Sequence, residues 1–119
     1  MQNYKNLKVW DKSIDLVAEV YHVTEFFPAA EQYGLVSQIR RCGVSIPSNI
    51  AEGAGRQTEK DFNHFLNISK GSSNELETQL IISKRLGFIK EEAFQSCLKW
   101  IEEVQRMIAG LQKSLKANC

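Results

Sequence analysis

"FQSCLKWIEEVQRMIAGLQKSL", residues 94–115, spaces its apolar side chains in alternating three- and four-residue steps: Phe94, Cys97, Ile101, Val104, Ile108, Leu111 and Leu115. That alternation keeps one stripe on one side of an α-helix and is the seam of an antiparallel bundle, where each side chain seats among residues of a facing helix. A seam this long requires partner helices of comparable length, and the rest of the chain supplies them. No stretch shows sustained period-two alternation, and helical periodicity dominates throughout.

Immediately before the seam, "RLGFIKEE" (85–92) reads as a short turn, so the fourth helix starts at about Glu91. A third helix starts after Thr58, where "TEKD" fits a capping pattern, and ends before Gly87. Its apolar face is Phe62, Phe65, Leu66, Ser69, Ser73, Leu76 and Leu80. The first helix is expected from about Leu7 to Phe26 and ends at "FFPAAEQYG", because Pro28 disfavours helical geometry at Phe27. The second starts near Glu31. Short connections between four such helices predict an all-α, antiparallel up-down-up-down four-helix bundle, one domain over residues 1–119.

The first helix carries more apolar surface than one core contact requires. Lys8, Asp11, Lys12, Asp15, Glu19 and His22 share a charged face when residues are set at ~100° intervals. Opposite them lie two stripes, Leu7, Trp10, Ile14, Val17 and Tyr21, then Val9, Leu16, Val20 and Val23. Together they cover roughly 200°, about twice the width of a core-facing stripe. The excess predicts a subunit interface formed by Val9, Leu16, Val20 and Val23.

"RRCGVSIPSNIAEGAGR" (40–56) places Gly43, Pro47, Gly53 and Gly55 inside the second helix. A proline in a helix loses one hydrogen bond and its ring presses on the carbonyl four residues back. That residue is Gly43, where the backbone is freest to bend away. Leu35, Ile39, Cys42, Ile46 and Ile50 form one apolar stripe across the proline, and Val36, Gly43, Ala51 and Ala54 form a small-residue flank suited to close helix approach. A kinked helix fits this pattern. So does a helix that stops near Pro47 and restarts, with Asn49 and Glu52 as a capping box. A phosphate cradle fits poorly, because the Walker lysine and a preceding strand are both missing.

Composition narrows the function classes. The chain has 119 residues, with 15 basic and 14 acidic side chains for a net charge of +1, so nucleic-acid binding would have to come from local clustering. No apolar run approaches the ~20 residues of a membrane span, and "MQNYKNLKVW" lacks the apolar core of a signal peptide. Cys42, Cys97 and Cys119 show no C-x-x-C spacing, which predicts reduced thiols in a cytoplasmic protein.

Four stretches resemble a known family in order: "LKVWDKSIDL" (7–16), "VYHVTEFFPAAEQYGLVSQIRR" (20–41), "VSIPSNIAEGAGR" (44–56) and "FLNISKGSSNELETQL" (65–80). The family is that of four-helix bundle proteins encoded in intervening sequences of bacterial large-subunit ribosomal RNA genes. It is related to the accessory protein of diversity-generating retroelements. The resemblance implies a ring-like homopentamer, and its related branch implies contact with nucleic acid and a partner protein.

Catalytic arrangements fare poorly on the residues themselves. Di-iron bundles use two Glu-x-x-His pairs facing the core, and "EVYH" (Glu19, His22) with "DFNH" (Asp61, His64) approximates them. Yet Glu19 and His22 fall on the charged face, and the two histidines come out roughly 13 Å apart along the bundle at the helical rise, whereas paired metals need about 4 Å. No G-x-S-x-G elbow is present. No catalytic residue, metal ligand or cofactor is expected. The basic residues remain: Arg40, Arg41, Arg56 and Lys60 along or just beyond the second helix are the candidate nucleic-acid contacts, since arginine grips phosphate with two parallel hydrogen bonds. Lys84, Arg85 and Lys90 form a second basic group at the turn between helices three and four. The functional expectation is a non-catalytic homo-oligomer that contacts RNA or DNA as an assembly or accessory factor; the alternative is a scaffold that docks a partner protein and touches no nucleic acid.

Overall fold

The computed structural model describes residues 3–117 and contains four α-helices: α1 (Lys8–Thr24), α2 (Leu35–Ala54), α3 (Glu59–Arg85) and α4 (Glu91–Ala117). Each helix packs against two neighbours, in the cyclic order α1–α2–α3–α4, with α2 and α3 in the most extensive contact. The fold is the all-α bundle that the seam of α4 requires, 47 × 23 × 20 Å. One core runs its length, with Leu16, Ile39, Ile46, Ile50, Leu66, Leu76, Leu80, Ile101 and Ile108 fully buried.

Local chemistry sets the helix ends. Thr58 caps α3 by accepting the Asp61 amide at 3.1 Å. Gly87, just past the end of α3, turns the chain with φ of +79°, a backbone state that side chains resist. Helix α1 stops at Thr24 rather than Phe26, and Phe27 turns inward to bury itself against Phe88. The second helix begins at Leu35 rather than near Glu31. Residues Ala29–Glu31 form a separate 3-10 turn, and Gly34 (φ −113°, ψ −107°) breaks the path between the two.

Pro47 does not end α2, which runs unbroken through it, so the stop-and-restart reading is corrected. Asn49 is a mid-helix residue whose amide donates to the Ser45 carbonyl at 2.9 Å. Among the glycines, Gly53 makes the close approach. A β-carbon there would stand 2.7 Å from Phe65 Cβ and 3.2 Å from the Phe62 carbonyl oxygen on α3. Gly43 instead faces Val17 and Val20 of α1 with room for a methyl group.

Small hydroxyl residues complete the α2–α3 seam. Ser69 donates to the Ile46 carbonyl at 2.9 Å, and Ser45 and Ser72 share a hydrogen bond of 2.9 Å. Ser73, also buried, receives Gln105 from α4 at 2.9 Å. These contacts explain why serines stand in an apolar stripe: each hydroxyl is satisfied where it is buried.

Candidate nucleic-acid interface

The structure sorts the two stripes of α1. Val9, Leu16 and Val20 are buried in the monomer's own core and Val23 packs half-buried against it. Val9, Leu16 and Val20, covered by their own chain, thus offer no surface to a second subunit, which corrects their assignment to an interface, whereas Val23 keeps part of its side chain open. The other stripe is only partly covered, with Leu7, Trp10 and Val17 half-buried. Ile14 and Tyr21 are about 40% exposed, and Val44 of α2 joins them at 41%. With Trp10, Val17, Pro47 and Ala51 they line an apolar groove of about 560 Å³ between α1 and α2.

The four candidate phosphate contacts separate into two places and two kinds. Arg40 is committed to the fold. Its Nε donates to Thr24 Oγ1 at 2.9 Å, its Nη2 to the Tyr21 carbonyl at 3.3 Å, and its guanidinium lies 4.4 Å from the Tyr21 ring centre. Thr24 donates its own hydroxyl to the Val20 carbonyl at 2.7 Å. Arg40 thus places a cation over the C-terminal turn of α1, where the helix dipole favours one. Arg56 is also engaged: it pairs with Glu52 at 2.7 Å and covers the Phe65 ring at 4.8 Å.

Arg41 and Lys60 are exposed and make no ion pair among the described residues. Arg41 lies one residue beyond the Tyr21–Arg40 stack; Lys60 is in the first turn of α3. Helix α2 runs on from Arg41 to Ala54, roughly 20 Å at the helical rise, and Arg56 lies just past its end. Of the second basic group, Lys84 pairs with Glu91 at 3.2 Å, while Arg85 and Lys90 are exposed.

Arg41 has neighbours that sequence spacing did not identify. It lines a second groove, about 430 Å³, with Tyr21, Gln32, Tyr33, Val36, Ser37, Arg40 and Val44. Tyr33 is 95% exposed. It belongs to no helical stripe, so periodicity was silent about it; the signal available was an aromatic residue beside a turn glycine.

His22 and His64 are exposed, and His64 packs edge-on against Phe65 at 5.4 Å. Among the described residues no group of three or more His, Cys, Asp or Glu side chains could hold a metal ion. Burial pushes the Cys97 thiol up to about 12, helped by the charge of Glu19. Burial and then the nearby Glu75 carboxylate raise the Cys42 thiol, which donates to Glu75 at 3.7 Å. Raised thiols stay protonated and are poor nucleophiles at neutral pH. Cys119 lies outside the described residues. Among the described residues no helix is long and apolar enough to cross a membrane.

The molecule is thus an all-α bundle that carries, on the outer side of α1 and α2, an apolar-aromatic face edged by arginine. Its sequence matches the family described as 23S rRNA-intervening sequence protein over residues 5–110, and the chain belongs to that family. It is similar in structure to a protein of unknown function from the S23 ribosomal protein family of Bacteroides thetaiotaomicron VPI-5482. The TM-score is 0.82 at 28% identity, covering 88% of this chain and 95% of that one. No curated protein matches.

Proposed function

We propose that this protein is a non-catalytic, self-associating bundle that contacts RNA or DNA through phosphate. One observation carries the reading. On the outer face of α1 and α2, apolar side chains that the monomer leaves half-exposed (Ile14, Tyr21, Val44) adjoin Arg41, which has no ion pair among the described residues. Ile14, on the groove that Trp10 and Val17 share, gains by pairing with another copy, since burying apolar surface contributes about 25 cal/mol per Å², while Tyr21 and Val44 continue into the arginine-edged groove that stays open to a ligand. Copies arranged about one axis, five in the ring that the family resemblance implies, repeat each Arg41 and build a local positive field despite a net charge of +1.

Family membership in an intervening-sequence group, and the S23 ribosomal family name of the structural relative, agree with a role near RNA. The test has two parts. Light scattering should give wild type a mass of several chains, and Ile14→Glu a smaller mass with helicity retained. Binding to structured RNA should weaken steeply as salt rises. A monomeric wild type at micromolar concentration would sink the assembly half. Assembly without RNA binding would favour the protein-docking scaffold.

A further inference from the structure

We propose that the groove between Tyr33 and α2 seats one unpaired base of a nucleic-acid strand, the base lying on the Tyr33 ring and an adjoining phosphate on Arg41. The inference rests on the nucleic-acid reading above and names its substrate class: single-stranded nucleotides.

Three observations converge on it. First, Tyr33 is 95% exposed, so its ring contributes almost nothing to the core and both faces are open. It sits in the turn between the Ala29–Glu31 segment and α2, beside Gly34. Second, the groove it lines holds two arginines, two tyrosines, a glutamine and a serine, and no carboxylate. Both charges among its lining residues are positive; the Glu31 carboxylate stands outside the lining, beside Gly34. Third, the groove measures about 430 Å³, within the range of small-ligand pockets.

The division of labour follows from the contacts. Arg40 is held by Thr24 and by the Tyr21 carbonyl and ring, so it shapes the wall. Arg41 is free to reach a phosphate. Gln32 and Ser37 supply neutral donors and acceptors at the rim for a base edge or sugar hydroxyl. Helix α2 begins here without a side-chain cap or an acidic residue in its own first turn, although the Glu31 carboxylate folds back to Gly34 at its start. An aromatic platform beside a cationic group is how proteins hold unpaired bases. A duplex keeps its bases stacked on each other and offers none to Tyr33.

The experiment measures fluorescence anisotropy of a short labelled single-stranded RNA, the DNA of the same sequence, and the RNA annealed to its complement. Wild type, Tyr33→Leu and Tyr33→Phe are compared at low and moderate salt, after circular dichroism confirms the fold. A single strand of either sugar should bind more tightly than the duplex. Tyr33→Leu should weaken single-strand binding by about tenfold at both salt concentrations, because stacking is not ionic, and Tyr33→Phe should keep wild-type affinity. Preference for the RNA or the DNA strand would identify the natural source. Wild-type binding that Tyr33→Leu leaves unchanged, or equal affinity for strand and duplex, would overturn the base site while leaving phosphate contact standing. Failure of wild type to bind any of the three at low salt would overturn both.

Discussion

Gly53 on α2 and Phe65 on α3 approach so closely that a β-carbon on the glycine would stand 2.7 Å from that of the phenylalanine. The contact sets the spacing of the most extensive helix pair in the bundle. Because the Phe62 main-chain oxygen is only 3.2 Å from the same point, side-chain rotation alone cannot make room. Gly53→Ala should therefore force the helices apart and cost about 1–3 kcal/mol, the usual range for overpacking. Gly43→Ala meets only ordinary contacts at 3.8 Å and 3.9 Å, and should be neutral or stabilise by up to about 1 kcal/mol through helix propensity. Urea unfolding of both variants at one protein concentration separates them. A large loss at Gly43 would show that the helix needs a glycine opposite Pro47 instead.

Arg40 and Arg41 are sequence neighbours with opposite roles. Replacing Arg40 by methionine keeps much of the stem but removes the hydrogen bonds to Thr24 and to the Tyr21 carbonyl. Thermal unfolding should register a loss of about 1–3 kcal/mol, as expected for charged hydrogen bonds at a helix terminus. Arg41→Gln should stay within about 0.5 kcal/mol of wild type, as surface changes usually do. Equal stability of both variants would remove the capping role.

Sequence spacing was enough to find four helices, because each buries a long stripe: Ile39, Ile46 and Ile50 in α2, Leu66, Leu76 and Leu80 in α3, Ile101, Val104 and Ile108 in α4. It could not say which of the two α1 stripes faces inward. Both fit the helical repeat, and the choice depends on where α2 and α4 lie. Two hydroxyl residues hid the answer. Ser13 and Thr24 sit buried in the true inner stripe, each satisfied by a carbonyl of its own helix, at 2.7 Å from Trp10 O and Val20 O. A polar residue that bonds back to its own helix can sit in a core, yet in the sequence it looks like a surface position. The basic residues were legible as a group; their partners were not, since Tyr21 and Thr24 reach Arg40 across the helix pair.

Cys97 gives a pH dependence with a definite sign. Its thiol is pushed from an ordinary 9.0 up to about 12 in the folded chain, mainly by burial. Below the unfolded value both states hold the proton and the contribution is intact. Between about pH 9 and about pH 12 the unfolded chain loses its proton first, so stability falls as pH rises. The slope from this one group is roughly 1.4 kcal/mol per pH unit. Unfolding free energies of wild type and Cys97→Ala, compared across that window, should converge as pH rises. Parallel curves would show that Cys97 titrates alike in both states.

The most direct test of the account is the salt dependence of RNA binding by wild type, Arg41→Gln and Arg56→Gln. Arg41 is exposed and without an ion pair among the described residues, whereas Arg56 is held by Glu52 at 2.7 Å. Wild-type affinity should fall linearly on logarithmic axes as salt rises. Arg41→Gln should flatten that line by roughly 0.7 to 0.9 for each phosphate the side chain no longer grips. It should also weaken unrelated RNAs alike, because phosphate carries no sequence information. Arg56→Gln should leave the slope near that of wild type. A wild-type protein that binds no RNA at low salt, or whose binding ignores salt and Arg41, would contradict the account.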